Sequence, residues 1–394
     1  MERAEHIDTV IIGGGQAGLT VGANLKRRGI DFVILDDHER TGDSWRNRWD
    51  SLLLFTPARL DGLPGLPFPG RPDRFVSKDE MADYLETYAK HHALPISRSE
   101  RVERLARVDR RFVVSSNRRV IQADNVVVAM ANYQKPKVPE LAGALSDQIR
   151  QLHSSEYRNP DQLPDGDVLV VGVGNSGADI ALELAATSRT VYLAGRETAH
   201  VPFRIEGWFG RTIGVRIVRV LGHHILNGNT PLGRKLRPAM IANAAPLVRV
   251  KPHDLVEAGV KRVGRVVAAV DGAPQLADGT TLRVASVVWC TGYRSGFDWI
   301  DLPIFDEGSD LPRHVRGVVE EEPGLFFVGL NFLHAATSDT VTGVPRDAHY
   351  IARLVHQRQA AAASRGRALL PRRRAAGGAR ELAPTRVNDT NPRG

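Results

Sequence analysis

Apolar residues in this chain fall into short unbroken runs, and two of these runs open the same pattern. Asp8 to Ile12 predicts a buried strand, and a glycine-rich turn, Gly13–Gly18, follows. Gln16 to Arg28, small or apolar at Ala17, Leu19, Val21, Ala23 and Leu25, predicts a helix that Gly29 stops. Asp31 to Leu35 predicts a second strand, which completes one strand–helix–strand unit. The pattern restarts with a strand at Asp167–Val171, the turn Gly172–Gly177, a helix over Asn175–Thr187 and a strand at Thr190–Ala194. Between the units, residues 41 to 75 are rich in Gly, Pro and aromatics and predict a structured loop. Lys78–Ala93 predicts a helix, Phe112–Ser116 and Arg119–Ile121 short alternating strands, and Asn125–Ala129 a buried strand. Ser286–Cys290 and Leu325–Val328 read as further strands of the first domain, and Val344–Gln357 as a closing helix.

The turns carry the chemistry. In the first, Gly13-x-Gly15-x-x-Gly18, the first glycine permits the tight strand-to-helix turn. The second lets backbone approach a pyrophosphate without a Cβ, and the third lets the helix pack on the strand. The helix N-terminus then points N–H donors at the phosphates. Asp36, 18 residues after Gly18, can accept hydrogen bonds from ribose hydroxyls, with Asp37 beside it as the alternative. The candidates of this loop are Gly13, Gly15, Gln16, Ala17, Gly18, Asp36 and Asp37. The second turn, Gly172-x-Gly174-x-x-Gly177, ends its unit in Gly195-Arg196 instead of an acid. An acid would repel a 2′-phosphate, whereas an Arg pairs with it. Two loops with different endings imply two dinucleotides: FAD on the acid-type loop and NADPH on the Arg-type loop. A protein holding both moves hydride from nicotinamide to flavin.

The expected fold is therefore α/β, with two Rossmann-like dinucleotide-binding domains, the NADP domain inserted into the FAD domain. The boundaries read as 1–160 and 286–360 for the FAD domain and 161–285 for the NADP domain. Linkers are expected near 132–160 and 285–300, an insert at 201–241, and a disordered basic tail at 361–394. The formal net charge of +8 concentrates in that tail, eight Arg against Glu381 and Asp389, which leaves the body near neutral and argues against nucleic acid as partner. The single cysteine, Cys290, excludes an internal disulfide and a CxxC pair and fits a reducing cytoplasm. The N-terminus lacks a signal-peptide core, and no run approaches the length of a membrane span. No metal cluster or Ser-His-Asp triad can be assembled from spacing.

The segments VIIGGGQAGL, GDSWRNRWDSL, LPFPG, LHSSEYRNP, VLVVGVGNSGADIALELA, VVWCTGY and GLFFVGL, in that order, resemble the flavin-containing monooxygenase superfamily. The similarity is greatest to its bacterial and plant YUCCA-like branch. It covers about Thr9 to Val355. It implies that Ser44 and Trp45 lie along FAD, that Thr56 contacts the flavin, and that Val102 holds the adenine through its backbone. Asn175 and Ser176 would serve the NADP loop, Thr291 and Gly292 would form a hinge between domains, and Gly329, within GLFFVGL, would join the FAD site. His153 and Tyr157 match the second half of the family fingerprint, whose first half is replaced at Asp147 and Ile149. Ala129-Met130-Ala131 stands where relatives carry Ala-Thr-Gly. Phe55 stands where microsomal-type relatives carry an Asn, which fits the YUCCA-like branch. Tyr157, where Baeyer–Villiger relatives have Trp-Pro, argues against that chemistry.

The resemblance implies a monooxygenase: NADPH reduces FAD, O₂ forms a C4a-(hydro)peroxyflavin, and one oxygen atom passes to a small organic substrate. The alternatives are an NADPH-dependent flavin reductase without oxygen insertion and a flavin-binding redox sensor. The insert, with Ile213, Ile217, Val220 and Leu221 at helical spacing among Arg211, Arg216 and Arg219, has three readings. It is a lid over an apolar substrate site, a weak contact with an anionic membrane surface, or an ordinary helix packed on its own domain.

Overall fold

Both glycine-rich turns fold as their spacing predicts, for one steric reason. Gly13 and Gly172 sit at φ +106° and +115°, in the left-handed region that side chains avoid. A Cβ at Gly18 would lie 1.9 Å from the Gly13 carbonyl oxygen, and one at Gly177 would lie 1.8 Å from that of Gly172. Each helix therefore starts directly against its own turn. The two helices, Gln16–Lys26 and Asn175–Ala185, begin after Gly15 and Gly174 with no side-chain cap and no acid in the first turn. Their first N–H donors are left for a ligand.

In the computed structural model, residues 5–243 and 245–369 are described. The described residues up to His356 form one compact unit, and those from Gln357 fall in a second. The first sheet runs Ile96–Ser97, Phe32–Leu35, Glu5–Ile12, Val120–Val128, Arg111–Ser116, Val102–Val108. Val120–Val128 is one continuous strand rather than two. Its first half pairs antiparallel with Arg111–Ser116 and its second half pairs parallel with Leu325–Phe327. The core beneath joins Leu19, Val21 and Leu25 of the first helix to Met81, Leu85 and Tyr88 of the helix Lys78–His91. A capping box fixes where that second helix starts: Ser77 accepts from the Glu80 N–H while the Glu80 carboxylate accepts from the Ser77 N–H.

The second sheet is wholly parallel: Arg150–His153, Ser286–Trp289, Val168–Val171, Val191–Ala194, Lys261–Val263. This corrects one expectation. Ser286–Trp289 pairs with Val168–Val171 and so belongs to the second sheet, not the first. Strands buried on both faces are uninterrupted apolar runs in either sheet, so composition does not reveal the neighbour. The stretch 41–75 is mostly loop, with a short helix at Asp43–Arg46 and a strand, Leu53–Pro57, paired to Phe75–Ser77. The two linkers meet as a small antiparallel ladder, Lys135–Pro136 against Tyr293–Arg294. The closing helix runs Val344–Leu369, past the expected end at Gln357 and into the expected tail; residues 370–394 of that tail lie outside the described residues.

Replacing Gly18 or Gly177 by Ala drives a methyl into a backbone carbonyl. Each variant is expected to lose roughly 2–4 kcal/mol of stability, read as a fall in the urea midpoint.

Candidate active site

A cleft of about 810 Å³ brings the two halves of the motif map together. Gly13, Gly15, Gln16, Ala17, Asp36, Asp37, Ser44, Trp45, Thr56, Val102 and Gly329 all line it. Gly18 does not, because it is consumed in the helix–turn contact. A Cβ at Gly15 would meet nothing within 4 Å, so this backbone faces open cleft. Trp45 Nε1 donates to Gln16 Oε1 at 3.3 Å, which ties the segment after the second strand to the phosphate loop. Asp36 is buried and accepts from the His38 backbone N–H at 3.0 Å and from His38 Nδ1 at 2.8 Å. Asp37 lies 3.0 Å from the same nitrogen. Hydrogen bonding to Asp36, then to Asp37, pushes His38 up to about 10, so the ring is an imidazolium at neutral pH. Its hydrogen bond holds Asp37 below the usual carboxylate range.

The second loop contributes less directly. Ser176 lines the cleft; Gly172, Gly174, Asn175, Gly177, Arg196, Thr291 and Gly292 do not. Asn175 is a strut: its Nδ2 donates to the Pro246 carbonyl at 3.0 Å and its Oδ1 accepts from the Val248 N–H at 3.0 Å. Arg196 is exposed just past the strand Val191–Ala194. Arg262, unnoticed in the sequence, donates to the Leu193 and Gly195 carbonyls beside it. Thr291 and Gly292 sit where the linkers cross. The Thr291 hydroxyl donates to the Lys137 carbonyl, and the Gly292 carbonyl accepts from Lys137 N–H at 3.0 Å and from His153 Nε2 at 3.0 Å. Burial holds His153 below its ordinary value, so it is neutral, with Nδ1 accepting from the Ser155 N–H. Tyr157, fully buried, donates to Glu183 at 2.7 Å. Both fingerprint residues are scaffold.

A family model for pyridine nucleotide-disulphide oxidoreductases matches residues 10–213, just over half of the chain. This chain belongs to that family. Within it, the chain is a member of the flavin monooxygenase superfamily. It is 38% identical over 357 residues to an "Uncharacterized oxidoreductase CzcO-like" protein of Geobacillus kaustophilus, covering 88% of this chain and 98% of that one. It is 29% identical to the "Probable indole-3-pyruvate monooxygenase YUCCA7" of Arabidopsis thaliana, covering 81% and 82%. The solved flavin-containing monooxygenase from Stenotrophomonas maltophilia superposes with a TM-score of 0.71 at 27% identity, over 90% of this chain and 99% of that one. The family uses FAD and NADPH.

The cleft suits such cofactors in its donor chemistry: uncapped helix N–H groups at the first loop and an acid, Asp36, at the end of the following strand. Several of its walls were not foreseen. Tyr133 and Tyr293 stand opposite Trp45's segment, with Arg48 Nη1 donating to the Tyr293 hydroxyl at 2.9 Å. Tyr133, 40% exposed and facing the cleft, donates to Asp339 Oδ2 at 2.6 Å. Burial raises the Asp339 carboxyl, and burial together with Asp339 raises the Tyr133 phenol. Thr337 to Thr342 complete that wall; the run of Thr and Ser just before the closing helix was the available signal, since such residues gather at helix starts. Asp179, in the second phosphate-loop helix, also lines the cleft, and desolvation pushes it up to about 6.

Behind Thr56 lies Asp61, fully buried, accepting the Thr56 hydroxyl with one oxygen while the other has no partner. Desolvation pushes it up to about 7. The folded state thus holds this proton more tightly than the unfolded chain does. The stabilisation is full below about pH 4 and is lost as pH rises through about 7. Asp61→Asn, which keeps a Thr56 acceptor without the charge, is expected to gain stability relative to the parent between about pH 5 and about pH 8. Urea midpoints at the two pH values check this.

Proposed function

We propose that FAD lies along the N-terminal loop with its pyrophosphate against Gly15, its ribose at Asp36 and its flavin ring beyond Trp45 and Thr56, and that NADPH enters from the Ser176 side. The observation that carries the reading is the single cleft lined by both the first phosphate loop and Ser176 of the second. In this reading Arg150–His153 and Ser286–Trp289, strands of the second sheet, go with the NADPH half. When bound, the flavin would supply the redox chemistry that links NADPH to O₂. The protein's part is positional. Gln16 and Trp45, bonded to each other, would help hold the flavin, Arg48 and Tyr293 join the first half to the linker, and the Tyr133 hydroxyl holds its proton toward Asp339 at the cleft wall. The insert residues Val201, Ile205, Val215 and Val218 close the cleft with apolar surface and exclude water.

The reaction is insertion of one oxygen atom into a small organic substrate, a soft nitrogen or sulfur nucleophile or an activated carbonyl. The plain disulfide-reductase reading lacks a second thiol, and burial pushes the Cys290 thiol up to about 12, far from a reactive thiolate. Anaerobic reduction of the FAD-loaded protein by NADPH or NADH, followed by O₂ with a panel of thioethers and amines, tests the proposal. One oxygen atom in product per NADPH is expected. Complete return of reducing equivalents as free peroxide across the panel sinks oxygen insertion in favour of a simple oxidoreductase.

Two substitutions test the site. Gly15→Ala is expected to fold normally but to retain FAD roughly tenfold less well, because its methyl enters the space assigned to the pyrophosphate. Arg196→Ala is expected to raise KM for NADPH by roughly tenfold and to leave KM for NADH nearly unchanged.

A further inference from the structure

Between Glu206 and Asp254 the sequence has no acid and eight Lys or Arg. The near-neutral body therefore conceals a strongly basic insert offset by acids elsewhere. The insert starts in the second half of the protein and is fastened to the first. The Gly228 N–H donates to the His334 carbonyl at 2.7 Å, the Ala336 N–H to the Leu226 carbonyl at 2.9 Å, and Thr337 Oγ1 sits 2.8 Å from His223 Nδ1. Its inner face lines the cleft through Val215 and Val218.

The outer face is left partly open, although Phe209 packs edge-on against Phe203 with ring centroids 5.6 Å apart. Phe209, Ile213, Ile217, Leu221 and Ile225, each four residues after the last, are all 40–46% exposed. They form one row along a helix widened by π turns at Gly210–Gly214 and Leu221–Ile225. Trp208, at the head of the row, is 75% exposed. The next helix, Pro231–Ala242, shows Leu232 and Leu236 at the same spacing, with exposed Arg234 and Lys235 between them. Among the described residues, Arg216, Arg234 and Lys235 pair with no carboxylate. Exposed apolar rows with an aromatic at the end and unpaired cations around them match the apolar boundary and negative headgroups of a bilayer surface. No helix among the described residues is long and apolar enough to cross a membrane.

We propose that the outer face of the insert, residues 208–236, docks this protein peripherally on an anionic lipid surface. The inference is independent of the reaction assigned above. The test is flotation of the full-length, FAD-loaded chain with vesicles of phosphatidylcholine alone or mixed with phosphatidylglycerol. The parent is expected to float with the mixed vesicles and to be released by salt. Phe209→Ser/Ile213→Ser/Ile217→Ser and, separately, Arg216→Glu/Lys235→Glu are expected to weaken partition by roughly tenfold or more, with thermal midpoints showing that both variants remain folded. Absence of binding to either vesicle overturns the proposal. So does undiminished binding of both variants, which assigns the attraction to the basic C-terminal sequence. A concentration-dependent dimer in sedimentation, abolished by the triple Ser variant and seen in place of vesicle binding, also overturns it and gives the face to a second copy.

Discussion

The approach of each phosphate-loop helix to its own turn is the constraint on which the rest depends. With less than 2 Å between a would-be Cβ and a carbonyl oxygen at Gly18 and at Gly177, no other residue fits without moving the helix. That contact fixes where the helix starts relative to the strand, and so where its uncapped N–H groups point. The same solution appears twice in one chain. In both cases the neighbouring residue is also spoken for: the Gly13 Cβ direction meets the Ala129 carbonyl, and that of Gly172 meets the Cys290 carbonyl. Each loop is thus clamped between its own helix and the end of an adjacent parallel strand. The ladder of Lys135–Pro136 with Tyr293–Arg294, braced by His153 on Gly292, then sets how the two clamped loops face the shared cleft.

Much of this was legible because backbone geometry leaves residue-level traces. A left-handed turn needs Gly13 and a close approach needs Gly18, so the spacing of glycines predicts both units, their helices and the first-loop wall. What the sequence concealed was partnership. Ser286–Trp289 is apolar enough for either sheet, and only the observed register with Val168–Val171 places it. Asp36 was visible as an acid at a strand end, but nothing marked His38, two residues on, as its imidazolium partner. Asn175 carried a motif assignment, yet both polar atoms of its side chain are spent on residues 246–248. In the insert the helical spacing of Ile213, Ile217 and Leu221 was read correctly, while the face they present was not determined. Amphipathic spacing shows that a helix has two faces, and only packing shows which one meets the core.

Charge was the least legible property, because a chain-wide sum averages over regions that never meet. The +8 of the whole chain looked like the property of a tail. Counted by segment, residues 207–253 alone carry +8, as much as the whole chain. The charge that matters for partners is local, since fields between exposed groups fade within about 8–10 Å at physiological salt.

The interior of the site follows the opposite rule. Three carboxyls around the cleft, Asp61, Asp179 and Asp339, are all shifted upward, and desolvation is the leading cause for each. Near the dinucleotide ribose position the balance reverses: Asp37 is held ionised by a protonated His38. The site thus handles its acids in two ways: Asp37 is held ionised against His38, whereas burial favours the protonated forms of Asp61, Asp179 and Asp339. The inner face of the insert adds apolar surface at Val215 and Val218 and one cation, Arg219, to the same lining, so the insert combines burial with a fixed charge as the rest of the cleft does.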